Sequence, residues 1–377
     1  MKKTIVRKLL VLTIAALFLV GLAACGAGPS GTASPSASAG AGASPTASAG
    51  TAGDLPETDS LVVGVYSGDW ETSINKAALD EFAAETGIDV EVVPGADAEW
   101  YTKLQAANGT NVPYDLLILQ PDTIQKAIEA NLLQDLDESN VPNLSLLFDS
   151  VNQRFTKDDK LYAAGFSMGQ LGICYRTDLV KNPPKSWADL WNSEYAGHVA
   201  ISPLTYSAGL QFFWSQTEDG KNIDGAFNKL STLKSNVSAY PDGAGAVQTL
   251  IQRGDVWMVP FWDGRAFAWQ ETDPNIGFVY PEDGPVAAIA SWTIPKNAPN
   301  LANAYKLLDY LCSAKVQSAY AELSYYGMAC KDTAYSDKFL AKAHVGESYY
   351  NALQWIDYSV ATPNLSDWST RWQNALG

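Results

Sequence analysis

The sequence predicts an α/β fold made of two lobes, and two observations support this prediction. Along residues 61–131, apolar runs of strand length alternate with segments of helical periodicity, which is the pattern of an open and largely parallel sheet. The same alternation recurs along residues 161–294, and the chain from residue 301 onward is mainly helical in pattern. Two α/β blocks of similar size followed by a helical tail indicate two lobes.

The first block begins with a continuous apolar run at 61–66, which predicts a buried strand. We expect Thr72 or Ser73 to cap the helix that follows and Gly87 to end it. The further predicted elements of this block are a strand at 88–92, a helix at 98–108, a strand at 114–119 and a helix at 122–131.

The second block repeats this theme with shorter elements. Its predicted strands lie at 161–175, 198–201, 256–261, 276–280 and 287–294. Its predicted helices begin at 186–191 and continue near 207–215, 225–235 and 244–253.

The N-terminal residues have the pattern of an export signal. A basic start is followed by the apolar run 9–24, which is too short for a comfortable membrane span. The run ends in Leu22-Ala23-Ala24-Cys25, which resembles the lipobox of bacterial lipoproteins. That resemblance implies a signal peptide at 1–24 and a lipid on Cys25, so that the protein is anchored to the cell membrane and faces outward. An ordinary signal peptide with a chance cysteine is the alternative.

A tether is predicted between this anchor and the folded body. Every residue from 26 to 53 is Gly, Ala, Ser, Pro or Thr, so the segment has no side chains to bury and is expected to be disordered. A flexible coil of this length spans roughly 30 Å. We place the lipidated cysteine and the tether at 25–58.

Composition excludes several classes of function. The 377-residue chain has a formal net charge of −16 and no basic cluster beyond the signal, which argues against a nucleic-acid partner. With two histidines and no metal-binding motif, a zinc enzyme is close to excluded, and we expect neither metal nor cofactor. In an exported chain Cys312 and Cys330 are a possible disulfide, which leaves Cys174 as a buried thiol.

The stretch Gly165-Phe166-Ser167-Met168-Gly169 matches the nucleophile elbow of α/β-hydrolases. An elbow needs a helix directly after the serine, but residues 170–175 alternate as in a strand. The match is therefore interpreted as accidental. A secreted serine hydrolase using Ser167 and His344 remains the alternative from a different class of function.

Several longer phrases resemble extracellular solute-binding proteins of ABC importers. They are 81–90 (EFAAETGIDV), 114–117 (YDLL), 185–197 (KSWADLWNSEYAG), 261–267 (FWDGRAF) and 291–298 (SWTIPKNA). The most similar group is the spermidine/putrescine-binding type, with its iron-, thiamine- and phosphonate-binding relatives. The resemblance covers most of residues 60–335.

The resemblance implies a two-lobe periplasmic-binding-protein (Venus-flytrap) fold whose lobes close on a solute and then dock on a membrane permease. It implies no enzymatic activity and, by expectation, a monomer. Hinge crossings are expected near Phe166–Gly169 and Ala290–Trp292. Lobe 1 is expected at 59–166 plus about 292–340, and lobe 2 at 167–291 plus about 341–377.

Candidate ligand residues follow from the rule that ligands lie beyond the carboxyl ends of strands in open α/β sheets. That rule selects Asp69, Trp70, Gln120, Asp122, Tyr206, Ser207, Trp262, Asp263 and Arg265, and the expected crossings add Phe166, Ser167 and Trp292. Trp70 and Trp262 match positions where polyamine binders have aromatic walls.

The identity of the solute stays open between three classes. A polyamine is implied by the resemblance, but the segment Ile201–Gly209 lacks the carboxylate pair of the polyamine binders and Ala290 stands at another of their acidic positions. Asp69, Asp122 and Asp263 are possible replacements. The Ser207 helix start and Arg265 instead suit a carboxylate or phosphonate, so a zwitterion such as 2-aminoethylphosphonate is an alternative.

Iron(III) ranks third among these solutes. An iron binder is expected to use a tyrosine pair, for which the doublets Tyr325-Tyr326 and Tyr349-Tyr350 are the candidates.

Overall fold

The computed structural model describes residues 58–377. The predicted signal peptide, the lipidation site Cys25 and nearly all of the predicted tether lie outside the described residues. Within residues 58–377 we find no helix with the length and apolarity that a membrane span requires.

Ten strands of the described chain form one sheet, and two more form a short separate hairpin. The strands are β1 Ser60–Tyr66, β2 Asp89–Gly95, β3 Leu116–Leu119, β4 Thr156–Lys157, β5 Lys160–Leu161, β6 Ala164–Arg176, β7 Val199–Ala200, β8 Val237–Ala239, β9 Met258–Trp262, β10 Ile276–Val279, β11 Val286–Thr293 and β12 Gly327–Met328. The order across the sheet is β2-β1-β3-β11-β6-β9-β7-β8, and β10 and β12 also pair with β6.

The sheet consists of two parallel blocks joined by an antiparallel pair. Strands β2, β1 and β3 run parallel to one another, and so do β9, β7 and β8. Between the blocks, β11 and β6 are antiparallel to each other and to the strands beside them. Parallel neighbours need crossover connections, which explains why helices alternate with strands in each block. The predicted α/β class is confirmed.

The helices cover the segments between the strands and the C-terminal tail. They are α1 Asp69–Ile74, α2 Asp80–Thr86, α3 Asp97–Ala107, α4 Pro121–Glu129, α5 Asp149–Asn152, α6 Ser207–Trp214, α7 Ile223–Leu233, α8 Ala244–Arg253, α9 Asp263–Gln270, α10 Leu301–Cys312, α11 Ala314–Ser324, α12 Asp337–Leu340, α13 Glu347–Asn351 and α14 Tyr358–Leu376. A π-helical turn, Asn75–Leu79, joins α1 to α2, and short 3₁₀ turns lie at Pro142–Leu146, Gln153–Phe155, Trp187–Trp191 and Ser193–Tyr195.

The first helix begins three residues before the predicted cap at 72. Gly68 takes the N-cap position with φ 85°, a conformation that only glycine adopts without steric cost, and the helix starts at Asp69. The end is as predicted, because Gly87 closes α2 in the left-handed conformation with φ 73°.

Buried apolar side chains form two clusters in the described chain. The first core combines β1 and β3 with helices α1–α4, α10 and α11, and it contains the fully buried Trp100. The second core combines β9 with helices α6–α9 and α14, and it contains the fully buried Trp214. Each parallel block of the sheet thus has its own core.

Three segments pass from one core to the other side by side. Strand β6 passes between Met168 and Leu171, and β11 returns between Val286 and Ala287. The third segment, 353–356, lies against β11, where the Ala287 N–H donates to the Gln354 carbonyl at 2.9 Å.

The packing differs from the expected crossings and boundaries at two places. The return crossing precedes the expected 290–292, because the antiparallel register sets Val286 opposite Leu171 of β6. Tyr350 and Leu353 pack in the first core, although 341–377 was expected to belong with the second. The division into lobes stays a prediction.

The possible disulfide is not formed in the structure. Cys312 and Cys330 are free thiols buried in the first core, and Cys174 is a free thiol in the second. Buried cysteine packs as a small apolar side chain, which is the role that these three residues have here.

Candidate ligand-binding site

A cavity of about 620 Å³ lies between the two cores and is the candidate site. Its size falls within the range of pockets for small molecules. On the first-core side it is lined by Tyr66, Trp70, Asp97, Tyr101, Gln120, Asp122, Thr123, Lys126 and Tyr326. On the second-core side it is lined by Thr205, Tyr206, Ser207, Ala244, Trp262, Arg265 and Leu365, and between them by Ser167, Ala288 and Ala290 of the crossing strands. We call this cavity the cleft.

The first-core wall of the cleft is acidic. Asp97 opens α3 directly after β2, and the Tyr66 hydroxyl donates to its Oδ1 at 2.8 Å. Its Oδ2 accepts from the Gln120 N–H at 3.2 Å and from the Thr123 hydroxyl at 3.4 Å. Burial raises the pKa of Asp97 to about 7, and the neighbouring charge of Asp122 adds to the shift.

The second carboxylate on this wall is already paired. Asp122 Oδ2 lies 3.1 Å from Lys126 Nζ, one helical turn along α4. Asp97 has only neutral donors, so the wall has one negative charge without a cationic partner.

Aromatic rings flank the cleft on both sides. Trp70 meets Tyr66 edge-on, with 5.5 Å between ring centroids. Across the cleft, the rings of Tyr206 and Trp262 lie 5.5 Å apart, and Trp262 Nε1 donates to Gln211 Oε1 at 2.7 Å. That hydrogen bond fixes the orientation of the indole, so the second wall presents a held aromatic surface.

Arg265 connects the two sides of the cleft. Its Nη1 lies 3.1 Å from Asp69 Oδ2, which joins α9 of the second core to α1 of the first. The side chain of Asp69 is 80% exposed and that of Arg265 is 18% exposed, so water screens the pair. The Nε of Arg265 is buried and has no hydrogen-bond partner.

Tyr326 closes the cleft beside the crossing strands. A Cβ added at Gly169 would lie 2.8 Å from the Tyr326 ring, and one added at Gly264 would lie 2.6 Å from it. The ring is therefore seated against two glycines, one in β6 and one in α9. Burial raises the pKa of Tyr326 to about 12.

Comparison with known proteins agrees with this architecture. Residues 77–347 match the family described as "Bacterial extracellular solute-binding protein". The chain belongs to this family. It is thus a non-enzymatic, solute-binding component of an ABC importer, and the resemblance seen in the sequence is confirmed.

Relatives of this solute-binding protein include two kinds of binder. A spermidine/putrescine-binding periplasmic protein of Escherichia coli (strain K12) is 30% identical over 275 residues, which cover 68% of this chain and 75% of that protein. A putative 2-aminoethylphosphonate-binding periplasmic protein of Salmonella typhimurium is 25% identical over 332 residues, which cover 83% of this chain and 93% of that protein.

Solved structures show the same fold. The spermidine/putrescine ABC transporter substrate-binding protein PotD of Streptococcus pneumoniae aligns with a TM-score of 0.69 at 19% identity, over 85% of this chain and all of that one. A putative extracellular solute-binding protein of Bordetella parapertussis aligns with a TM-score of 0.71 at 21% identity, over 85% of this chain and 99% of that one. The periplasmic-binding-protein fold expected from the sequence is confirmed.

Most of the predicted ligand residues of the solute-binding protein line the cleft. Those on its walls are Trp70, Gln120, Asp122, Ser167, Tyr206, Ser207, Trp262 and Arg265. Asp69 reaches the cleft through its ion pair with Arg265. Whether these side chains touch a solute stays a prediction.

Three predicted residues lie in the core instead. Phe166 and Trp292 are fully buried, and their rings contact each other and Trp70. Phe166 stands at a β-bulge, since the β6–β11 register passes from Ser167 directly to Gly165. Neighbouring residues of a strand point to opposite faces, which explains why Phe166 packs in the core while Ser167 faces the cleft.

Asp263 is the third predicted ligand residue that lies in the core, and it has a structural role. Its side chain is 1% exposed, and Oδ1 accepts from the main-chain N–H groups of Gln170 at 3.0 Å and Gly264 at 2.7 Å. The Tyr280 hydroxyl donates to Oδ2 at 3.0 Å. Asp263 thus ties the start of α9 to strand β6, and burial raises its pKa to about 7.

Tyr66, Asp97 and Tyr101 line the cleft but were not predicted as ligand residues, and Tyr326 was predicted only as part of a tyrosine pair for iron. Asp97 had an available signal, because it follows β2 as Asp69 follows β1, and the strand-end rule applies to both. The others had weaker signals, since tyrosines near strand and helix ends are common in this chain.

The serine hydrolase alternative is wrong, because Ser167 and His344 do not have the geometry of a catalytic pair. Ser167 lies inside β6, and strand rather than helix follows it. The ring of His344 is stacked between Tyr280 at 4.0 Å and Tyr349 at 4.5 Å, and it does not line the cleft.

The tyrosine doublets do not present paired phenols to the cleft. Tyr326 lines the cleft, whereas the Tyr325 hydroxyl accepts from Lys338 at 3.2 Å on an exposed surface. Tyr350 is buried in the first core and Tyr349 stacks on His344. Among residues 58–377, no group of three His, Cys, Asp or Glu side chains is arranged to hold a metal ion.

Proposed function

We propose that this protein captures a small organic cation of the polyamine type between two lobes and delivers it to the permease of its ABC importer. The lobes are built around the two cores, and they close by bending at the three crossing segments. We further propose that the protein is a monomer, held on the outer side of the cell membrane by a lipid on Cys25.

The unpaired carboxylate of Asp97 is the observation that carries this proposal. It faces a cavity of small-molecule size, and Asp122 lies on the same wall. A buried carboxylate with no cationic partner is costly, and a bound ammonium group would supply that partner. The acids that polyamine binders have near 201–209 are absent here, and Asp97 supplies a carboxylate from the opposite side.

The aromatic walls support the same class of solute. Rings of Tyr66, Trp70 and Tyr101 lie on the side of Asp97, and Tyr206 and Trp262 lie opposite. Stacked rings accommodate an alkyl chain, and each cation–π contact contributes about 0.5–2 kcal/mol. A linear amine with a short apolar chain satisfies both features.

A second candidate is a zwitterion such as 2-aminoethylphosphonate. The observation that favours it is the buried Nε of Arg265, which has no partner in the structure although it lines the cleft. A phosphonate or carboxylate at Arg265, with an ammonium group at Asp97, would satisfy both groups. The putative 2-aminoethylphosphonate-binding relative of Salmonella typhimurium supports this candidate.

Isothermal titration of the full-length protein with putrescine, spermidine and 2-aminoethylphosphonate tests the proposal. We expect both polyamines to bind with one site per chain. If only the phosphonate binds, and Arg265→Gln weakens it about tenfold or more, the second candidate replaces the first. If none of the three gives binding heat, both assignments are wrong while the family membership stands.

The anchor is tested separately in cells. Cys25→Ser is expected to move the protein from the membrane fraction to the soluble fraction and to abolish labelling with a fatty-acid analogue. A Cys25→Ser protein that stays in the membrane fraction would contradict the lipid anchor without affecting the solute assignment.

A further inference from the structure

A second cavity, of about 340 Å³, lies behind the crossing strand β11. Ala288 and Ala290 of β11 line the cleft, whereas Ala287 and Ile289 line this rear cavity. Alternate residues of a strand point to opposite faces, so the two cavities lie back to back across β11. We propose that the rear cavity is a binding site for a small amino acid zwitterion with an aliphatic side chain. This proposal does not depend on which solute the cleft takes.

The anion-binding group of the rear cavity is Arg154. Its guanidinium lies over the face of Trp355, with 3.7 Å between Cζ and the ring centroid. Stacking uses the faces of the guanidinium and leaves its N–H donors free in the plane of the group. In the described chain no carboxylate forms an ion pair with Arg154. A carboxylate in the cavity would therefore find a held, unpaired, planar donor group.

The cation-binding group is Asp357, which lines the same cavity. Asp357 caps α14 through Oδ1, which accepts from the Ser359 N–H at 2.9 Å and from the Ser359 hydroxyl. The cap uses only one carboxylate oxygen, and Oδ2 remains available to an ammonium group. Arg154 and Asp357 form no ion pair with each other in the described chain, so each keeps its charge for a ligand.

The rest of the lining combines apolar side chains with the polar Gln125 and Ser359. Phe155, Ala287, Ile289 and Ile356 are all buried residues that border the cavity. The volume lies at the lower end of the range for small-molecule pockets, which suits a ligand of amino acid size. A positive group, a negative group and an apolar surface together match an α-amino acid with an aliphatic side chain.

The rear cavity also touches both cores and two of the three crossing segments, β11 and 353–356. Phe155 belongs to the first core and Ile356 to the second, while Ala287 lies at the crossing of β11. A ligand that contacts both cores and β11 binds more tightly at one angle between the cores than at another. Binding in the rear cavity therefore changes the affinity of the cleft for its solute, and the solute changes the affinity of the rear cavity by the same factor.

Titration of the full-length protein with three matched probes tests the site. The probes are L-leucine, 4-methylpentanoate, which lacks the amine, and 3-methylbutylamine, which lacks the carboxylate. We expect leucine to bind and each truncated probe to bind about tenfold more weakly or worse. Binding of 4-methylpentanoate as tight as leucine would overturn the zwitterion assignment, and absence of leucine binding up to about 10 mM would overturn the site.

Variants distinguish leucine binding in the rear cavity from leucine binding in the cleft. Arg154→Gln and Asp357→Asn are each expected to weaken leucine about tenfold, and asparagine keeps the helix cap, so the second variant tests charge without loss of fold. The exposed Arg253→Gln is the matched control and should leave leucine binding unchanged. If Arg265→Gln weakens leucine and Arg154→Gln does not, leucine occupies the cleft and the rear-cavity proposal is wrong.

Discussion

The two walls of the cleft hold their charges in different ways. On the first-core wall, Asp97 accepts three hydrogen bonds, all from neutral donors. On the second-core wall, Arg265 already faces a carboxylate, that of Asp69 at 3.1 Å. One wall therefore keeps an uncompensated negative charge, and the other is neutralised by a pair that water screens. Under the proposed function, the first wall therefore selects the sign of the solute's charge, whereas the second wall supplies apolar contact.

The largest effect on affinity is expected for Asp97→Asn, which tests the difference between the two walls. Removing one partner of a buried charge pair typically costs 2–5 kcal/mol, so we expect the affinity for a polyamine to fall about 30-fold or more. Isothermal titration measures the change. Asp255→Asn, at an exposed position away from the cleft, is the matched control and should bind as the parent protein does. Equal affinities of the two variants would mean that Asp97 does not face the cation.

The aromatic contribution of the second wall is tested by Trp262→Leu. Leucine keeps part of the apolar contact but loses the π face, which contributes about 0.5–2 kcal/mol to a cation. We expect a loss of about 2–30-fold in polyamine affinity. A variant that binds with unchanged affinity would remove the second wall from recognition.

The affinity for a cation should depend on pH through Asp97. Its pKa is raised to about 7, so its carboxyl is largely protonated at pH 6 and largely ionised at pH 8. A bound cation favours the ionised form, and affinity should therefore fall as the pH drops through 7, by at most about tenfold per pH unit. Titrations from pH 8 to pH 5 measure this slope. Asp97→Asn should flatten it, whereas Asp263→Asn should not, because Asp263 shares the raised pKa but lies outside the cleft.

The smallest effect is expected for Asp69→Asn. The pair with Arg265 is mostly exposed at its acidic end, and such pairs contribute about 0.2–1 kcal/mol. We expect the polyamine affinity to change by less than about fivefold, and the difference to disappear in 1 M salt. If Asp69→Asn weakened polyamine binding as much as Asp97→Asn does, the proposed difference between the two walls would be wrong.

The sequence predicts the fold well because its signals are local. Apolar runs, helix periodicity and left-handed glycines such as Gly87 act within a few residues, and the alternation of strands and helices follows from them. The start of α1 was misplaced because Gly68 itself serves as the cap, in a conformation that the sequence does not distinguish from an ordinary turn.

The candidate site is predicted less completely, for two physical reasons. Strand ends can be located in the sequence, and most cleft residues lie there. Alternation shows which residues of a strand share a face but not which face borders the cleft, so the sequence did not separate Phe166 from Ser167. Asp263 shows the second reason: a charged residue beside a strand end can equally hold the backbone together, and only its three partners distinguish the two roles.

Tyr326 has a consequence for the size of the solute. Its ring borders the cleft on one side and rests against Gly169 and Gly264 on the other. A methyl group at either glycine would overlap the ring where it now lies, so the ring would have to move. Under the proposed function, the space for the solute beside Tyr326 thus depends on two residues that have no side chain and do not themselves line the cleft.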